Sequence, residues 1–420
     1  MKVELVTIGT ELLLGFTIDT NAAFFAREVA AQGVRVVRRT TCGDGPEEIA
    51  EAVRDALERT GAVITSGGLG PTADDLTKPS IAALFGREME FNAGILEALK
   101  ARWKARGWPG ELPAANHAQA MIPGGATILE NRHGSAPGIW IEDAKGRWVA
   151  MLPGVPREFR GMLRDELLPR IVRLLDASGS ASRNVVRSRT LRTTGIAESA
   201  LADALGELAK DPNGVGLAYL PGWEGVDLRL SVWDLPEAEA AARIAGAESL
   251  LREQVGRWIY GVDDADLAEL VLTGLRARGM HVAVGESCTG GMLGMRLTAI
   301  PGSSDVVEGG TIAYANAVKV RELGVKDSTI ASYGAVSEEV AREMASGVRA
   351  RFGVDVGVSI TGVAGPGGGT PAKPVGTFCV AVDVGGVVSS LKTGSVGDRH
   401  EVRQRSTQAA LNLIRRAIES

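Results

Sequence analysis

Two stretches toward the C-terminus carry the residue types that acyl chemistry needs. Glu286-Ser287-Cys288-Thr289-Gly290-Gly291 follows a buried-looking strand, Val282 to Val284, and opens a helix, Gly291 to Thr298. A hydroxyl and several backbone N–H groups therefore meet at one strand-to-helix turn, a geometry that serves to expose a nucleophile or to hold an anion. Beyond a second strand-like run, Thr311 to Ala315, the segment Tyr314-Ala315-Asn316-Ala317-Val318-Lys319 offers a phenol, an amide and an amine. A serine hydroxyl is a poor nucleophile until a base takes its proton. Only four histidines are present, and lysine can do that work if burial lowers its pKa from ~10.4 toward ~7 to 8. The same residues also admit a plainer reading, with Ser287 or Thr289 capping a helix and Lys319 solvated at the surface.

Cys288 is the rival nucleophile, and it lacks a partner. The nearest histidine in sequence, His281, lies along an extended segment roughly 23 Å away at ~3.3 Å per residue.

A second constellation lies near the N-terminus. Ala62 to Thr65 reads as a short buried strand that runs into Ser66-Gly67-Gly68-Leu69-Gly70-Pro71-Thr72-Ala73-Asp74-Asp75. Glycines 67, 68 and 70 let backbone close on a phosphate or other anion. Asp74 and Asp75, with Asp44 at a helix start and Glu11 and Asp19 after the first strand, can gather at the C-terminal edge of one sheet, the edge where α/β proteins bind ligands. Oxygen-only ligands suit Mg²⁺ or a similar hard cation bridging to phosphate. Asp44 and the Asp74-Asp75 pair also fit as helix-start residues.

The elements that position these groups alternate in an α/β rhythm. The first strand is Lys2 to Ile8, followed by a helix from Asn21 to Gln32 and a strand from Arg35 to Arg39. Pro46, Glu47 and Glu48 start the next helix and Gly61 ends it, as N-terminal proline, helix-dipole and C-terminal glycine preferences require. Trp148 to Leu152 is a later strand. Asp176 to Ser182 is small and polar, as a linker should be, and a strand-helix-hairpin-helix module follows to about Gly261. The C-terminal part returns to alternation, with Val354 to Ile360 a strand opening into Thr361-Gly362-Val363-Ala364-Gly365-Pro366 and Arg399 to Ile418 a final helix. At ~150 residues per domain the chain holds about three, and we expect them over 1–175, 183–258 and 261–420.

Composition sets outer bounds. The 420 residues are 45% hydrophobic, 23% charged and 5% aromatic, and 54 are glycine, near twice the usual share of ~7%. That excess points to tight loops where backbone approaches a ligand. The formal charge of −5 argues against a protein that coats nucleic acid or anionic membrane. Three scattered cysteines fit a reducing cytoplasm. Glu4 and Glu11 break the apolar stretch a secretory signal would need, and no apolar run nears the ~18 residues of a membrane span, so no membrane partner is expected.

Glu286-Ser287-Cys288-Thr289-Gly290-Gly291, Tyr314-x-Asn316-x-x-Lys319, Gly334-Ala335-Val336-Ser337 and Gly362-x-Ala364-Gly365-Pro366 together resemble the CinA family, whose C-terminal domain is the nicotinamide mononucleotide (NMN) amidohydrolase also found as free-standing PncC. The resemblance covers the whole chain; Ala315 stands where the family usually has Ser or Asn. It implies hydrolysis of the NMN carboxamide to nicotinate mononucleotide and ammonia, without a cofactor, by a Ser287 nucleophile and a Lys319 base. Tyr314 and Thr289 would assist, and Gly290, Gly291, Asn316, Thr361, Gly362, Gly365 and Arg399 would bind substrate. Backbone N–H groups at Thr289 to Gly291 or at Gly362 to Gly365 would hold the oxyanion, and Arg399 would take the phosphate.

Gly67-Gly68-x-Gly70 with Asp75 and Thr77, and Asp44 ahead of its helix, are similar to the MoaB/MogA molybdopterin-binding fold. That likeness implies a phosphate-bearing, nucleotide-like ligand held by Gly67, Gly68, Gly70, Thr72, Asp44 and Asp75. In CinA proteins it implies a metal-dependent ADP-ribose pyrophosphatase, with Glu11, Asp19, Asp74 and Asp75 as the metal set. The middle unit is similar to a KH-like module. Its Gly222-Trp223-Glu224-Gly225 lies between strand-like runs, whereas an RNA-clamping GxxG joins two helices. The expected architecture is thus multidomain α/β: a MoaB/MogA-like parallel-sheet domain, a small α+β KH-like module and an α/β amidohydrolase domain, as a homodimer. The competing class is a competence-associated or molybdopterin-like binding protein with no hydrolytic N-terminal activity.

Overall fold

The computed structural model describes residues 1–177 and 184–419. It divides into two compact units, one of Met1–Arg187 with Trp233–Ala241, the other of Ser188–Val232 with Ala242–Ser420.

In the first unit, strands β1 (Lys2–Ile8), β2 (Arg35–Cys42), β3 (Ala62–Ser66), β4 (Thr127–Leu129), β5 (Gly138–Glu142) and β6 (Trp148–Leu152) form a sheet of order β2-β1-β3-β6-β5-β4. The first four in that order run parallel, and β5 and β4 add an antiparallel edge. Helices cover both faces, so a central strand is apolar throughout rather than on alternate residues. Val3 and Leu5 pack with Phe25, Val29 and Phe159 on one face, and Val6 and Ile8 with Ile49 and Val53 on the other. Helix α1 (Thr20–Ala30) is capped by Asp19, and α2 (Pro46–Thr60) starts at Pro46 and ends at Gly61 with φ +71°. The third helix used below is α3 (Thr77–Leu84).

The second unit contains two sheets. Strands β7 (Asn184–Thr193), β8 (Gly216–Pro221), β9 (Val226–Pro236) and β10 (Ile259–Val262) take the order β8-β9-β7-β10, followed between β9 and β10 by helix α4 (Glu237–Val255). The GxxG sequence is the turn of the β8–β9 hairpin, closed by Gly222 N–H donating to the Gly225 carbonyl at 2.8 Å. It lies between strands, as its flanking sequence requires.

The last sheet has strands β11 (Val282–Glu286), β12 (Val307–Ile312), β13 (Val356–Gly362), β14 (Thr377–Val384) and β15 (Val387–Gly394) in the order β12-β11-β13-β14-β15. β11 runs parallel to both its neighbours, and the other pairings are antiparallel. Around it lie α5 (Leu267–Ala277), α6 (Met292–Thr298), α7 (Asn316–Leu323), α8 (Glu338–Phe352) and α9 (Arg399–Glu419). Val282, Val284, Val358 and Ile360 face Leu411 and Ile414 of α9, while Ala283 faces Val340 and Met344 of α8. Ser337 caps α8 through Val340 N–H at 3.3 Å.

Three expectations are corrected or fall elsewhere. The strand expected at 311–315 is β12, Val307–Ile312: its ladder with β11 closes where Ala313 N–H reaches the Glu286 carbonyl at 2.7 Å, which leaves Tyr314 in a loop. The strand expected at 35–39 extends to Cys42, because Thr40, Thr41 and Cys42 pair with Val6, Thr7 and Ile8. Of the expected linker, residues 178–182 lie outside the described residues, and Asp176 belongs to a helix, Leu168–Ala177.

Glu224 of the hairpin turn lies between two arginines. Arg192 on β7 reaches it at 2.5 Å and also Asp227 at 3.0 Å; Arg296 on α6 reaches it at 3.1 Å and also Asp266, the cap of α5, at 3.0 Å. The turn is occupied in tying the small sheet to the helix that follows Ser287. A networked, half-buried pair is worth more than an isolated surface one. Glu224→Gln should cost about 1 kcal/mol of stability, and a double-mutant cycle with Arg296→Gln should recover a coupling of about 0.5 kcal/mol or more, read by denaturant unfolding.

Candidate functional site

Ser287 follows β11 directly, its N–H held by the Ile360 carbonyl of β13 at 2.9 Å. Its side chain borders a pocket of about 290 Å³ shared with Cys288, Tyr314, Asn316, Lys319, Thr361, Gly362, Gly365 and Arg399. Lys319, on the first turns of α7, is only 2% exposed. Burial pulls its amine below the ordinary lysine range, because a low-dielectric surrounding disfavours the charged form. Nζ donates to the Tyr314 carbonyl at 3.2 Å. Among the described residues no hydrogen bond joins it to Ser287 Oγ. The same burial pushes the Cys288 thiol up to about 12, which keeps it protonated and unreactive.

Arg399 bridges the pocket wall, donating from Nη1 to the Gly365 carbonyl at 2.7 Å and from Nη2 to Tyr314 Oη at 2.8 Å. Thr361 Oγ1 donates to the Ala335 carbonyl at 2.8 Å. These bonds fix the rim on which Tyr314 stands exposed.

Three expected residues do not line the pocket. Thr289 is fully buried, and its carbonyl takes both Nε and Nη2 of Arg403, at 3.2 and 2.6 Å. Gly290 N–H turns back to the Ser287 carbonyl at 3.1 Å. Gly291 N–H, with those of Leu293 and Gly294, donates to the Glu286 carboxylate at 3.0, 3.1 and 2.9 Å. Of the oxyanion donors expected at 289–291, the Gly290 and Gly291 N–H groups are thus taken, while the Thr289 N–H has no protein acceptor among the described residues. Among the described residues, the Ala364 and Gly365 N–H groups have no protein acceptor. The role of Glu286 was not foreseen; an acid closing an apolar strand four to five residues ahead of a glycine pair and a helix is the signal that could have marked it as the partner of that helix start.

In the first unit a cleft of about 450 Å³ is lined by Glu11, Asp19, Asp44, Gly67, Gly68, Gly70, Asp74 and Asp75, and by Asn21 and Ser66, which sequence reasoning missed. Gly67 has φ +116°, and a Cβ there would lie 2.2 Å from the Ile8 carbonyl oxygen; at Gly68, φ +65°, it would lie 2.1 Å from Thr77 Oγ1. Side chains are excluded so that the loop can seat against β1 and α3. Thr72 does not line the cleft: its N–H and hydroxyl donate to Asp75 Oδ2 at 2.8 and 2.5 Å, while Asp75 Oδ1 takes Gly70 N–H at 2.7 Å. Asp44 takes the Thr10 N–H and hydroxyl, at 2.9 and 2.7 Å, and Asp19 the Ala22 N–H at 2.9 Å. Among the described residues, the Gly68 and Leu69 N–H groups have no protein acceptor.

These acids brace loops and do not converge. No group of three or more His, Cys, Asp or Glu among the described residues is placed to hold a metal ion, so Glu11, Asp19, Asp74 and Asp75 form no all-protein cage, whereas a magnesium ion bridging to phosphate asks for only one or two carboxylates. Lys78 of α3 was also missed. It is buried, donates to the Ala118 carbonyl at 2.7 Å, and burial lowers it to about 8.

Residues 264–418 match the model of the CinA C-terminal domain, 188–261 that of the damage-inducible protein CinA KH domain, and 4–173 that described as "Probable molybdopterin binding domain". A CinA-like protein of Gemmatimonas aurantiaca is 62% identical over 99% of this chain and 96% of its own length. The chain belongs to the CinA family. Another CinA-like protein, of Kosmotoga olearia, is 39% identical over 100% of this chain and 99% of its own. The solved competence/damage inducible protein CihA from Agrobacterium tumefaciens is 37% identical, spanning 37% of this chain and 94% of that one with a TM-score of 0.36. The Ser287 pocket falls within the CinA C-terminal domain, and the glycine-loop cleft within the molybdopterin-binding match. No helix among the described residues is long and apolar enough to cross a membrane.

The close seat of Gly67 is testable. Gly67→Ala must move the Ile8 backbone or the loop, so it should destabilise the first unit by more than ~2 kcal/mol, measured by denaturant unfolding.

Proposed function

We propose that the C-terminal domain hydrolyses the carboxamide of nicotinamide mononucleotide to nicotinate mononucleotide and ammonia. The observation that carries this reading is the desolvated Lys319 amine in one pocket with Ser287. Neutral Lys319 accepts the Ser287 proton as Oγ bonds to the carboxamide carbon, which the cationic pyridinium makes electron-poor. The oxyanion is held by the Ala364 and Gly365 N–H groups, each such donor being worth ~10²–10³ in rate. As the C–N bond breaks, the Lys319 ammonium returns the proton to departing ammonia. Water then attacks the acyl-serine, giving its proton to Lys319 and releasing the carboxylate and a regenerated Ser287. A neutral Nζ can keep its N–H bond to the Tyr314 carbonyl while its lone pair takes the Oγ proton, a contact of the kind that tightens when substrate binds. No cofactor enters this sequence.

For the N-terminal cleft we infer a phosphate-bearing nucleotide such as ADP-ribose, its phosphate on the free Gly68 and Leu69 amides. The carboxylates there form no all-protein metal cage, so the reading extends to binding and no pyrophosphate cleavage step is assigned.

Ammonia release from NMN tests the dyad. Ser287→Ala and Lys319→Ala should each lower kcat by ~10²-fold or more, whereas Cys288→Ala should keep most of it; full turnover in either dyad variant overturns the assignment. The base works only when neutral, so kcat/KM should fall as pH drops through the Lys319 pKa. Because burial lowers that pKa, the fall should be centred below the ~10.4 of an ordinary lysine, and a pH–rate profile of the wild type reads it.

A further inference from the structure

Beside the Ser287 pocket, and sharing Ala364, Gly365 and Arg399 with it, is a second cavity of about 540 Å³. Gly397, Asp398, His400 and Arg403 also line it. Arg399, His400 and Arg403 all sit on the first two turns of α9, a 21-residue helix whose N-terminus adds positive potential.

The hydrogen bonds show which donors remain. Arg399 spends one N–H of each terminal nitrogen on Gly365 and Tyr314, so it is held from two sides as a partition between the two cavities. Arg403 uses Nε and Nη2 on the Thr289 carbonyl, which leaves Nη1 and its two N–H bonds, of a guanidinium's five, without a partner among the described residues. The His400 ring meets only the Gln404 amide, at 3.3 Å. Asp398 and Glu401 are the local acids. They are turned on one another's backbone, Glu401 N–H to Asp398 Oδ1 at 2.9 Å and Asp398 N–H to Glu401 Oε2 at 2.8 Å.

We propose that this cavity is the anion subsite of the same active centre. It takes the 5′-phosphate of a mononucleotide whose carboxamide lies at Ser287, with Arg403 and His400 as specificity-determining residues. The inference rests on the amidohydrolase reading. A phosphate monoester suits it because a guanidinium edge gives paired, charge-assisted donors to such an anion. Arg403 would then couple recognition to chemistry, since the same side chain braces the carbonyl two residues beyond Ser287.

The test compares NMN with nicotinamide riboside, which carries the same carboxamide and no phosphate. Wild type should favour NMN, and His400→Gln and Arg403→Gln should each reduce the ratio of kcat/KM for NMN over riboside about tenfold, the value of one lost charge-assisted bond. A loss through the Thr289 brace alone would slow both substrates equally and leave the ratio unchanged, and that result overturns the proposal. A second measurement is independent of turnover. Inorganic phosphate, against chloride at matched ionic strength, should raise the Tm of wild type and not that of the double variant. Equal Tm shifts in both also overturn the subsite. Should wild type release ammonia from neither substrate while phosphate still raises its Tm and not the double variant's, the amidohydrolase reading falls and the anion subsite stands.

Discussion

The candidate catalytic turn is held by one carboxylate. Glu286 ends β11 almost fully buried and takes the N–H groups of Gly291, Leu293 and Gly294. These are amides that the start of α6 would otherwise leave unpaired. Its grip fixes where the chain leaves the sheet, and with it the place of Ser287. It also decides what the turn cannot do: a helix start whose donors are already satisfied is no oxyanion hole. Donors without a protein acceptor lie across the pocket, where Arg399 holds the Gly365 carbonyl and so sets the loop that carries the Ala364 and Gly365 amides.

One physical cause separates the reactive groups of that pocket. Removing water penalises whichever form is charged. For Lys319 the charged form is the acid, so burial shifts it toward the neutral amine that can take a proton; for Cys288 it is the base, so burial holds the thiol protonated. That bias favours the proposed chemistry, an alcohol activated by an amine, although a thiol is its immediate neighbour in sequence. A solvated pocket would reverse the choice, leaving an ammonium and a partly ionised thiol.

Much of this was legible before any coordinates. Parallel-sheet strands announce themselves as short apolar runs closed by glycine, and β3, β6 and β11 appear where such runs occur. Ser287, Lys319, Tyr314, Asn316, Thr361, Gly362, Gly365 and Arg399 do share one pocket. What stayed hidden was the direction in which polar groups face. Nothing in the spacing of Thr289, Gly290 and Gly291 tells that the Gly290 and Gly291 N–H groups go to Ser287 and Glu286, or that the Thr289 carbonyl takes Arg403. Arg403 lies more than a hundred residues downstream, and only the packing of α9 brings it to that carbonyl. Likewise Glu11, Asp19, Asp74 and Asp75 read as a metal set by type, but two of them, Asp19 and Asp75, turn to nearby N–H groups, a local partner that competes with any distant ligand.

The two sites meet the same problem with opposite means. Both are placed at strand-to-helix turns rich in glycine, and both readings give them an anionic ligand. In the first unit Asp75 takes the outer amides of the loop, Gly70 and Thr72, and leaves those of Gly68 and Leu69 without an acceptor, so neutral backbone is the available anion receptor. In the second, Glu286 takes the amides of the α6 start, and the proposed recognition of the anion falls to guanidinium and imidazole side chains on α9. Backbone receptors bind an anion with little demand on its shape or protonation. A guanidinium that braces the nucleophile's own turn with its other edge is more exacting, because a phosphate drawn to it acts on the segment where acyl transfer would occur. A catalytic pocket gains from that linkage, and a binding cleft has no need of it.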